Sequence, residues 1–124
     1  HTLIGPPGTA DMARHLEQAY RFDREVRAKD EGFDPAGATL DATDAAPGVV
    51  YERDGLKVTA FAVDHGGAID PAYGYRVDYR GRSAAFSGDT RFFEPIAGHA
   101  AGVDVLVHEV ISPEVELRRA QVQG

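Results

Sequence analysis

Three polar residues of this chain share one kind of location, the carboxyl end of a predicted β-strand. His65, Asp89 and His108 each stand at or just beyond the end of a strand pattern. In layered α/β sheets, ligands collect beyond the carboxyl ends of the strands. Imidazole and carboxylate groups that met on one rim would suit Zn²⁺ or a similar divalent ion. Each residue alone has an ordinary structural explanation, so it is their joint occurrence that favours a site.

The strands that would position these residues lie in the second half of the chain. Two pairs of strands flank short turns, Asp54-Gly55 and Arg80-Gly81-Arg82, which are typical of β-hairpins. Pro113 is well placed to open a last helix. The predicted elements are strands at 49–53, 56–63, 72–79, 83–86 and 103–108 and helices at 92–101 and 114–121. Hairpins followed by helix, strand and helix predict a layered α/β or α+β sheet domain.

The first part of the chain has the pattern of a helix followed by an acidic loop. Apolar residues recur at helical spacing over 9–28, with Thr9 as the expected N-cap and Asp11 in the first turn. The stretch 30–48 holds five acidic residues and no basic one, with Gly, Ala and Pro between them. We predict a mobile acidic surface loop there, with a ligand-contacting lid as the alternative.

The glycine-rich turn at residues 5–9, with the sequence GPPGT, invites comparison with a phosphate-binding loop. Such a loop continues with Gly-Lys-Ser/Thr, whereas this chain continues with Ala, Asp and Met. Asp11 stands where the lysine that grips the phosphate belongs, and its charge would repel the ligand. We therefore predict a structural turn that leads into the helix.

The composition excludes several classes of protein. With 13 Lys and Arg against 20 Asp and Glu, the net charge of −7 argues against a surface that tracks nucleic acid. The absence of cysteine excludes disulfides, thiolate metal sites and a cysteine nucleophile, so any metal must be held by His and carboxylates. No apolar run approaches the roughly 20 residues that span a bilayer, and the compartment is left open. The 124 residues predict one domain, and a start at His1 without Met suggests part of a longer protein.

Four motifs in order along the chain resemble the metallo-β-lactamase superfamily, and most closely its ribonuclease Z-like hydrolases. They are the strand into Asp-His-Gly at 58–66, Tyr-Gly-Tyr-Arg-Val at 73–77, Phe-Ser-Gly-Asp-Thr at 86–90 and Asp-Val-Leu-Val-His-Glu at 104–109. The GPPGT turn is similar to that branch as well. The resemblance implies the αβ/βα sandwich of that superfamily, with residues 1–124 as an internal portion of a single domain.

The same resemblance implies a dinuclear hydrolase and assigns roles to particular residues. His65 matches a histidine that ligates one metal, and Asp89 matches the aspartate that bridges two. His108 matches a histidine that helps proton transfer to the leaving group without ligating metal, with Glu109 beside it. The implied cofactor is Zn²⁺, two per complete site, with Mn²⁺ or Fe²⁺ as alternatives. Residues expected to support the ligands or to line the substrate site are Asp64, Tyr75, Arg76, Ser87 and Thr90.

Two departures from the family pattern shape the expected activity. The His-x-His-x-Asp-His motif and a last histidine ligand are absent from residues 1–124, so we expect this segment alone to bind metal weakly and to be inactive. The full-length protein would be the enzyme. The long arm that grips RNA in ribonuclease Z is also absent, because only the ten residues 77–86 separate Arg76 from Ser87. A small ester, phosphodiester, sulfate ester or lactone therefore fits better than tRNA.

Two alternatives remain beside the hydrolase of small esters. One is a non-catalytic binding or structural relative of the same fold, and the other is a ribonuclease Z-type tRNA 3′ endonuclease. The expected partners are a small ester-type molecule and a second copy of the chain in a homodimer, without nucleic acid or a membrane. His15 and His99 are expected to be structural or solvent-facing.

Overall fold

The structure is a computed structural model, and it describes residues 1–110. Its elements are β1 (Thr2–Gly5), α1 (Thr9–Ala19), α2 (Arg21–Asp30), a 3-10 turn (Pro35–Ala38), β2 (Asp41–Asp44), β3 (Gly48–Arg53), β4 (Leu56–Val63), β5 (Ala72–Tyr79), β6 (Arg82–Phe86), α3 (Pro95–His99) and β7 (Val105–Val107). Strands β3 to β7 form one sheet in sequence order, and β1 and β2 form a second. This mixture of sheets and helices confirms the predicted α/β class.

The large sheet is built from hairpins that the sequence marks locally. β3, β4, β5 and β6 pair antiparallel in turn, and β7 pairs parallel to β6. The turns Asp54-Gly55 and Arg80-Gly81 have positive φ at both positions, from 47° to 81°, as two-residue hairpin turns with right-handed strand twist require. The predicted strands 49–53, 56–63, 72–79 and 83–86 are confirmed to within one residue.

This pairing brings the carboxyl ends of β4, β6 and β7 to the same edge of the sheet. β4 and β6 both run antiparallel to β5, so they run in the same direction, and β7 runs parallel to β6. The residues that follow these three strands therefore start from one rim. The two hairpin turns lie at the opposite edge.

A small apolar core fixes α3 on one face of the sheet. Phe61, Val63 and Ile96 form its buried centre, with Ala72 and Phe93 packed against them. The ring of His99 stacks on Phe61 with centroids 4.4 Å apart and an angle of 5°, so His99 has the structural place expected of it. Gly74 makes room for Phe61, because a Cβ at that position would lie 2.4 Å from the ring.

The predicted helix 9–28 is two helices in the structure. α1 ends at Ala19, α2 begins at Arg21, and Tyr20 between them has φ −94° and ψ 10°. The departure from helical geometry is confined to this residue, so the apolar spacing continues across it and does not reveal the break. No helix within residues 1–110 is long and apolar enough to cross a bilayer.

The predicted loop 30–48 is wrong at Asp41–Asp44, which form β2. β2 pairs in parallel with β1, with Thr2 opposite Asp41 and Gly5 opposite Asp44. The two strands are separated by both helices, and no local pattern announces a pairing over that distance. The 3-10 turn also interrupts the predicted loop, and the Ala36 N–H donates to the Asp34 carboxylate at its start (2.9 Å).

Two later elements are shorter than predicted, and one lies outside the described residues. The helix predicted at 92–101 is limited to Pro95–His99, and the strand predicted at 103–108 is limited to Val105–Val107. In both cases the apolar pattern of the sequence extends beyond the residues that form the regular helix or strand. The helix predicted at 114–121 lies outside residues 1–110.

The start of α1 is held by Asp44 and not by the predicted cap, Thr9. The N-cap position is Gly8, with φ 99°, and the Thr9 hydroxyl donates to the Pro6 carbonyl oxygen (2.7 Å). The Asp44 carboxylate accepts the N–H groups of Ala10 (2.9 Å) and Gly8 (3.1 Å). These hydrogen bonds, with that of Ala10 the stronger, hold the pKa of Asp44 below its usual value. The helix dipole adds to the same effect.

We expect Asp44→Ala to lower the free energy of unfolding at pH 7. Because the folded-state pKa of Asp44 is lowered, its stabilising effect is present above the unfolded pKa of about 3.9 and is lost as pH falls through the folded pKa. The loss of stability caused by Asp44→Ala should therefore shrink in acid. Asp41→Ala, on the same strand and exposed, is the control in urea unfolding at pH 7 and pH 3. Equal destabilisation by both substitutions at pH 7 would contradict this role.

Candidate functional site

His65 and Asp89 meet at the rim formed by the ends of β4 and β6. The Nε2 atom of His65 lies 3.2 Å from the Oδ2 atom of Asp89. The side chain of His65 is partly buried, whereas that of Asp89 is 75% exposed. The structure therefore brings together the two residues that the sequence analysis nominated as metal ligands.

The separation of these two atoms fits a shared metal ion. Two ligands of a tetrahedral Zn²⁺ with bonds of about 2.0–2.1 Å lie about 3.3 Å apart. Imidazole nitrogen and carboxylate oxygen are both donors that Zn²⁺ accepts. Within residues 1–110, however, no group of three or more His, Cys, Asp or Glu side chains is arranged to hold a metal. The described part of the chain thus supplies a pair of donors that fits the ion, and not a complete set.

The loop after β6 is held by its backbone and by the buried side chain of Ser87. The Ser87 N–H donates to the Val107 carbonyl oxygen (2.9 Å), and its hydroxyl donates to the Gly88 carbonyl oxygen (2.8 Å). The same hydroxyl accepts the N–H of Glu109 (3.1 Å). Ser87 therefore ties the loop that carries Asp89 to the end of β7.

Gly88 turns the chain so that Asp89 reaches the rim. Its φ of 67° lies in the left-handed region, and a Cβ there would lie 2.7 Å from the carbonyl oxygen of Tyr73. The obstacle is backbone of β5, which cannot move without shifting the strand. Only glycine combines this turn with this close approach.

Thr90 and Asp64 join the loop after β6 to the loop after β4. Thr90 is 4% exposed, and its hydroxyl accepts the Asp64 N–H (3.2 Å). The same oxygen lies within donating distance of the carbonyl oxygens of Asp64 (3.2 Å) and Arg91 (2.9 Å). The two residues expected to support the ligands thus lie directly beside them, Asp64 before His65 and Thr90 after Asp89.

Arg91 belongs to this arrangement and was not predicted from the sequence. Its Nε donates to the Asp64 carboxylate (2.8 Å), and its backbone N–H donates to the Asp64 carbonyl oxygen (2.9 Å). The hydrogen bond from Arg91 holds the pKa of Asp64 below its usual value. The only sequence signal is a basic residue after the Ser-Gly-Asp-Thr motif, and nothing local links it to a residue 27 positions earlier.

His108 and Glu109 occupy different surroundings from the His65–Asp89 pair. The Glu109 carboxylate accepts the backbone N–H of Thr90, so it contacts the frame of the site. The exposed His108 has its Nδ1 2.7 Å from the Glu109 carbonyl oxygen. It lines a groove of about 290 Å³ with apolar neighbours that include Phe92 and Leu106. Among the contacts of residues 1–110, no hydrogen bond joins His108 to His65 or Asp89.

Tyr75 and Arg76 lie on opposite faces of β5. The Arg76 guanidinium binds Asp78 (3.1 Å) and donates to the carbonyl oxygens of His99 and Ala101 (3.0 Å each). It thereby holds the last turn of α3, a structural role that its nomination as a residue beside the site did not anticipate. Tyr75 lies in register with Ala60 and Phe86. Burial, with a smaller effect of Tyr73, raises the pKa of its hydroxyl.

The comparisons with known proteins identify a family and a fold. The protein-family model of the beta-lactamase superfamily domain matches residues 1–117 of this chain. The chain is 36% identical over 116 residues to a ribonuclease Z of Mycobacterium avium (strain 104), which covers 91% of this chain and 40% of that protein. It is 31% identical over 109 residues to a ribonuclease Z of Mycolicibacterium gilvum (strain PYR-GCK), which covers 88% of this chain and 38% of that protein.

One solved structure extends the likeness to the fold. The Zn²⁺-bound PqqB of Methylobacterium extorquens superposes with a TM-score of 0.54 and 22% identity, over 98% of this chain and 37% of that chain. At this identity the likeness concerns the fold alone. The chain spans about two fifths of the length of the ribonuclease Z relatives.

We expect Gly88→Ala to destabilise the protein more than Gly102→Ala. Both glycines have φ near 68°, but a Cβ at Gly102 meets nothing within 4 Å. Gly102→Ala should cost the backbone strain alone, about 1–2 kcal/mol. Gly88→Ala should cost about 1–3 kcal/mol more, because it also forces apart the backbone of β5. Urea unfolding of the two variants measures the difference in the free energy of unfolding. Equal losses would show that the close approach of Gly88 to Tyr73 adds nothing to the cost of the substitution.

Proposed function

The chain belongs to the metallo-β-lactamase superfamily, and from this premise we propose that it is part of a metal-dependent hydrolase in which His65 and Asp89 hold metal. The observation that carries the proposal is the 3.2 Å approach of the His65 imidazole to the Asp89 carboxylate. It occurs at the rim where the carboxyl ends of β4, β6 and β7 meet, the place where layered sheets collect their ligands.

The proposed cofactor is Zn²⁺, two ions per complete site, with Mn²⁺ and Fe²⁺ as alternatives. A chain without cysteine can offer only nitrogen and oxygen ligands, and imidazole with carboxylate suits all three ions. The Zn²⁺-bound PqqB shares the fold and supports zinc among them. The remaining ligands would come from residues outside the described part of the chain.

Each residue of the described site has a definite task in this proposal. When bound, divalent ions supply a nucleophilic water at neutral pH and a positive charge that clamps the reacting oxygens. His65 offers its Nε2 lone pair, and Asp89 offers a carboxylate that offsets part of that charge. Ser87 and Thr90 hold the loop that carries Asp89. The backbone position of Asp89 is therefore fixed without contacts from its own exposed side chain.

His108 is proposed to donate a proton to the departing group. With Nδ1 hydrogen-bonded to the Glu109 carbonyl oxygen, the proton on that nitrogen is fixed, and Nε2 faces away as the exchanging atom. Histidine is the side chain that most often acts as a general acid or base in enzymes. The place of His108 at the end of β7, on the same rim as Asp89, supports this role.

The proposed substrate is a small ester, phosphodiester, sulfate ester or lactone. β5 and β6 are joined by a turn of two residues, Arg80-Gly81, so no arm that could grip RNA leaves the sheet between Arg76 and Ser87. The net charge of −7 also disfavours a polyanionic substrate. A tRNA 3′ endonuclease is the second candidate, favoured by the identity to the ribonuclease Z of Mycobacterium avium.

A panel of substrates separates these candidates in the full-length protein. Aryl phosphodiesters, aryl sulfates and lactones represent the first class, and a precursor tRNA with a 3′ extension represents the second. Turnover of the precursor tRNA alone would overturn the first proposal. Stoichiometric zinc without turnover of any substrate would favour a non-catalytic binding relative, as would a parent sequence that lacks the His-x-His-x-Asp-His motif.

We expect Asp89→Ala to abolish hydrolysis and to lower the metal content of the full-length protein. His108→Ala should slow turnover about 10²- to 10⁴-fold while the metal stays bound, because its proposed role is proton transfer. His15→Ala is the control, since His15 lies exposed on α1 and should leave both quantities unchanged. Metal analysis and steady-state kinetics give the answer, and equal metal loss in the Asp89 and His108 variants would refute this division of roles.

A further inference from the structure

Asp89 is positioned by contacts that its own side chain does not make. Within residues 1–110, its carboxylate has one polar contact, the one with His65. The residue after it, Thr90, is by contrast buried and hydrogen-bonded through both its N–H and its hydroxyl. The placement of Asp89 must therefore come from the backbone on both sides of it, from Ser87 and Gly88 before it and from the chain that follows it.

That chain is fastened to the residue that precedes His65. Thr90 and Arg91 together make four contacts with Asp64, at its N–H, its carbonyl oxygen twice and its carboxylate. We call this set of contacts the Asp64 clamp. Since Asp64 adjoins His65 and Thr90 adjoins Asp89, the clamp fixes the two backbone positions from which the imidazole and the carboxylate project.

Arg91 makes the part of the clamp that depends on a charged side chain. Its Nε donates to the Asp64 carboxylate at 2.8 Å, and its guanidinium also lies over Gly66, where a Cβ would stand 3.6 Å from Cζ. The guanidinium thus binds Asp64 on one side of His65 and fills the space beside Gly66 on the other. The side chain of Arg91 is 66% exposed, so solvent weakens the electrostatic attraction to Asp64. The contact therefore acts mainly by fixing where the two side chains lie.

We propose that Arg91 is a positioning residue that acts through Asp64 to hold His65 and Asp89 at the spacing of two ligands of one metal ion. The proposal rests on the metal site proposed above and adds a residue to it. Groups that orient metal ligands typically change metal affinity about 10- to 100-fold when they are removed. The affinity of the full-length protein for zinc is therefore the quantity that the clamp controls.

The test measures zinc affinity by competition with a chromogenic chelator in the full-length protein. We expect Arg91→Ala and Asp64→Ala each to weaken zinc binding about tenfold, and the double variant to weaken it no further, because the two residues act as one unit. Asp64→Asn keeps an oxygen that accepts from Arg91, so it should restore most of the affinity. The absorption spectrum of the Co²⁺-substituted protein should shift in the two alanine variants and not in Asp64→Asn.

Arg82→Ala is the matched control. Arg82 binds Asp104 at the same 2.8 Å, but this ion pair lies at the opposite edge of the sheet, beside the hairpin turn. Its removal should leave zinc affinity unchanged while it costs a similar loss of thermal stability. If Arg91→Ala fails to fold, Arg91→Met keeps the aliphatic stem and enters the same comparison.

The outcomes separate the clamp from the proposed function. Tight zinc binding by the unaltered protein with equal affinity in Arg91→Ala would overturn the clamp and leave the metal site standing. Losses that add in the double variant would overturn the coupling of Arg91 to Asp64. An unaltered protein that binds none of Zn²⁺, Mn²⁺ and Fe²⁺ would overturn both proposals.

Discussion

The hydroxyl of Thr90 bridges two loops that no strand pairing connects. β4 and β6 are separated by β5 in the sheet, so within residues 1–110 no strand pairing joins the loops that follow them. Thr90 spans this gap, with its buried oxygen between the N–H and the carbonyl oxygen of Asp64. A buried polar group that loses its partner costs about 1–3 kcal/mol, so the pairing of these loops is strongly favoured over any other register. The positions of His65 and Asp89 follow from it.

The same bonds distinguish Asp89, the proposed metal ligand, from the other carboxylates of the described rim. Asp64 is engaged by Arg91, and the carboxylate of Glu109 accepts the N–H of Thr90. Among the acidic side chains of the described rim, this leaves Asp89 facing outward with His65 as its neighbour. The proposal of Asp89 as the ligand is therefore consistent with the partners that Asp64 and Glu109 already have.

The sequence predicts what depends on neighbouring residues and misses what depends on distant ones. The hairpin at Asp54-Gly55 and the strands that flank it are set by local turn chemistry and alternation, and they are correct to within a residue. β2 was not predicted, because its partner β1 is separated from it in the sequence by two helices. The cap of α1 was not predicted either, because Asp44 belongs to β2. The approach of His65 to Asp89 could be foreseen, because strand direction alone sends both to one rim. Arg91 could not, because its role depends on a partner in another loop.

Glu109 connects the end of β7 to the loop that follows β6. Its resemblance to a His-Glu pair suggests a carboxylate that works beside His108 in proton transfer. Its side chain accepts the backbone N–H of Thr90, and its own N–H donates to the Ser87 hydroxyl. These two bonds extend the frame of the metal ligands to the end of β7, where His108 stands. The strand that carries the proposed proton donor is therefore tied to the loop that carries the proposed ligand. The Glu109 carboxylate thus has a structural contact in addition to the catalytic place that the resemblance implies for it.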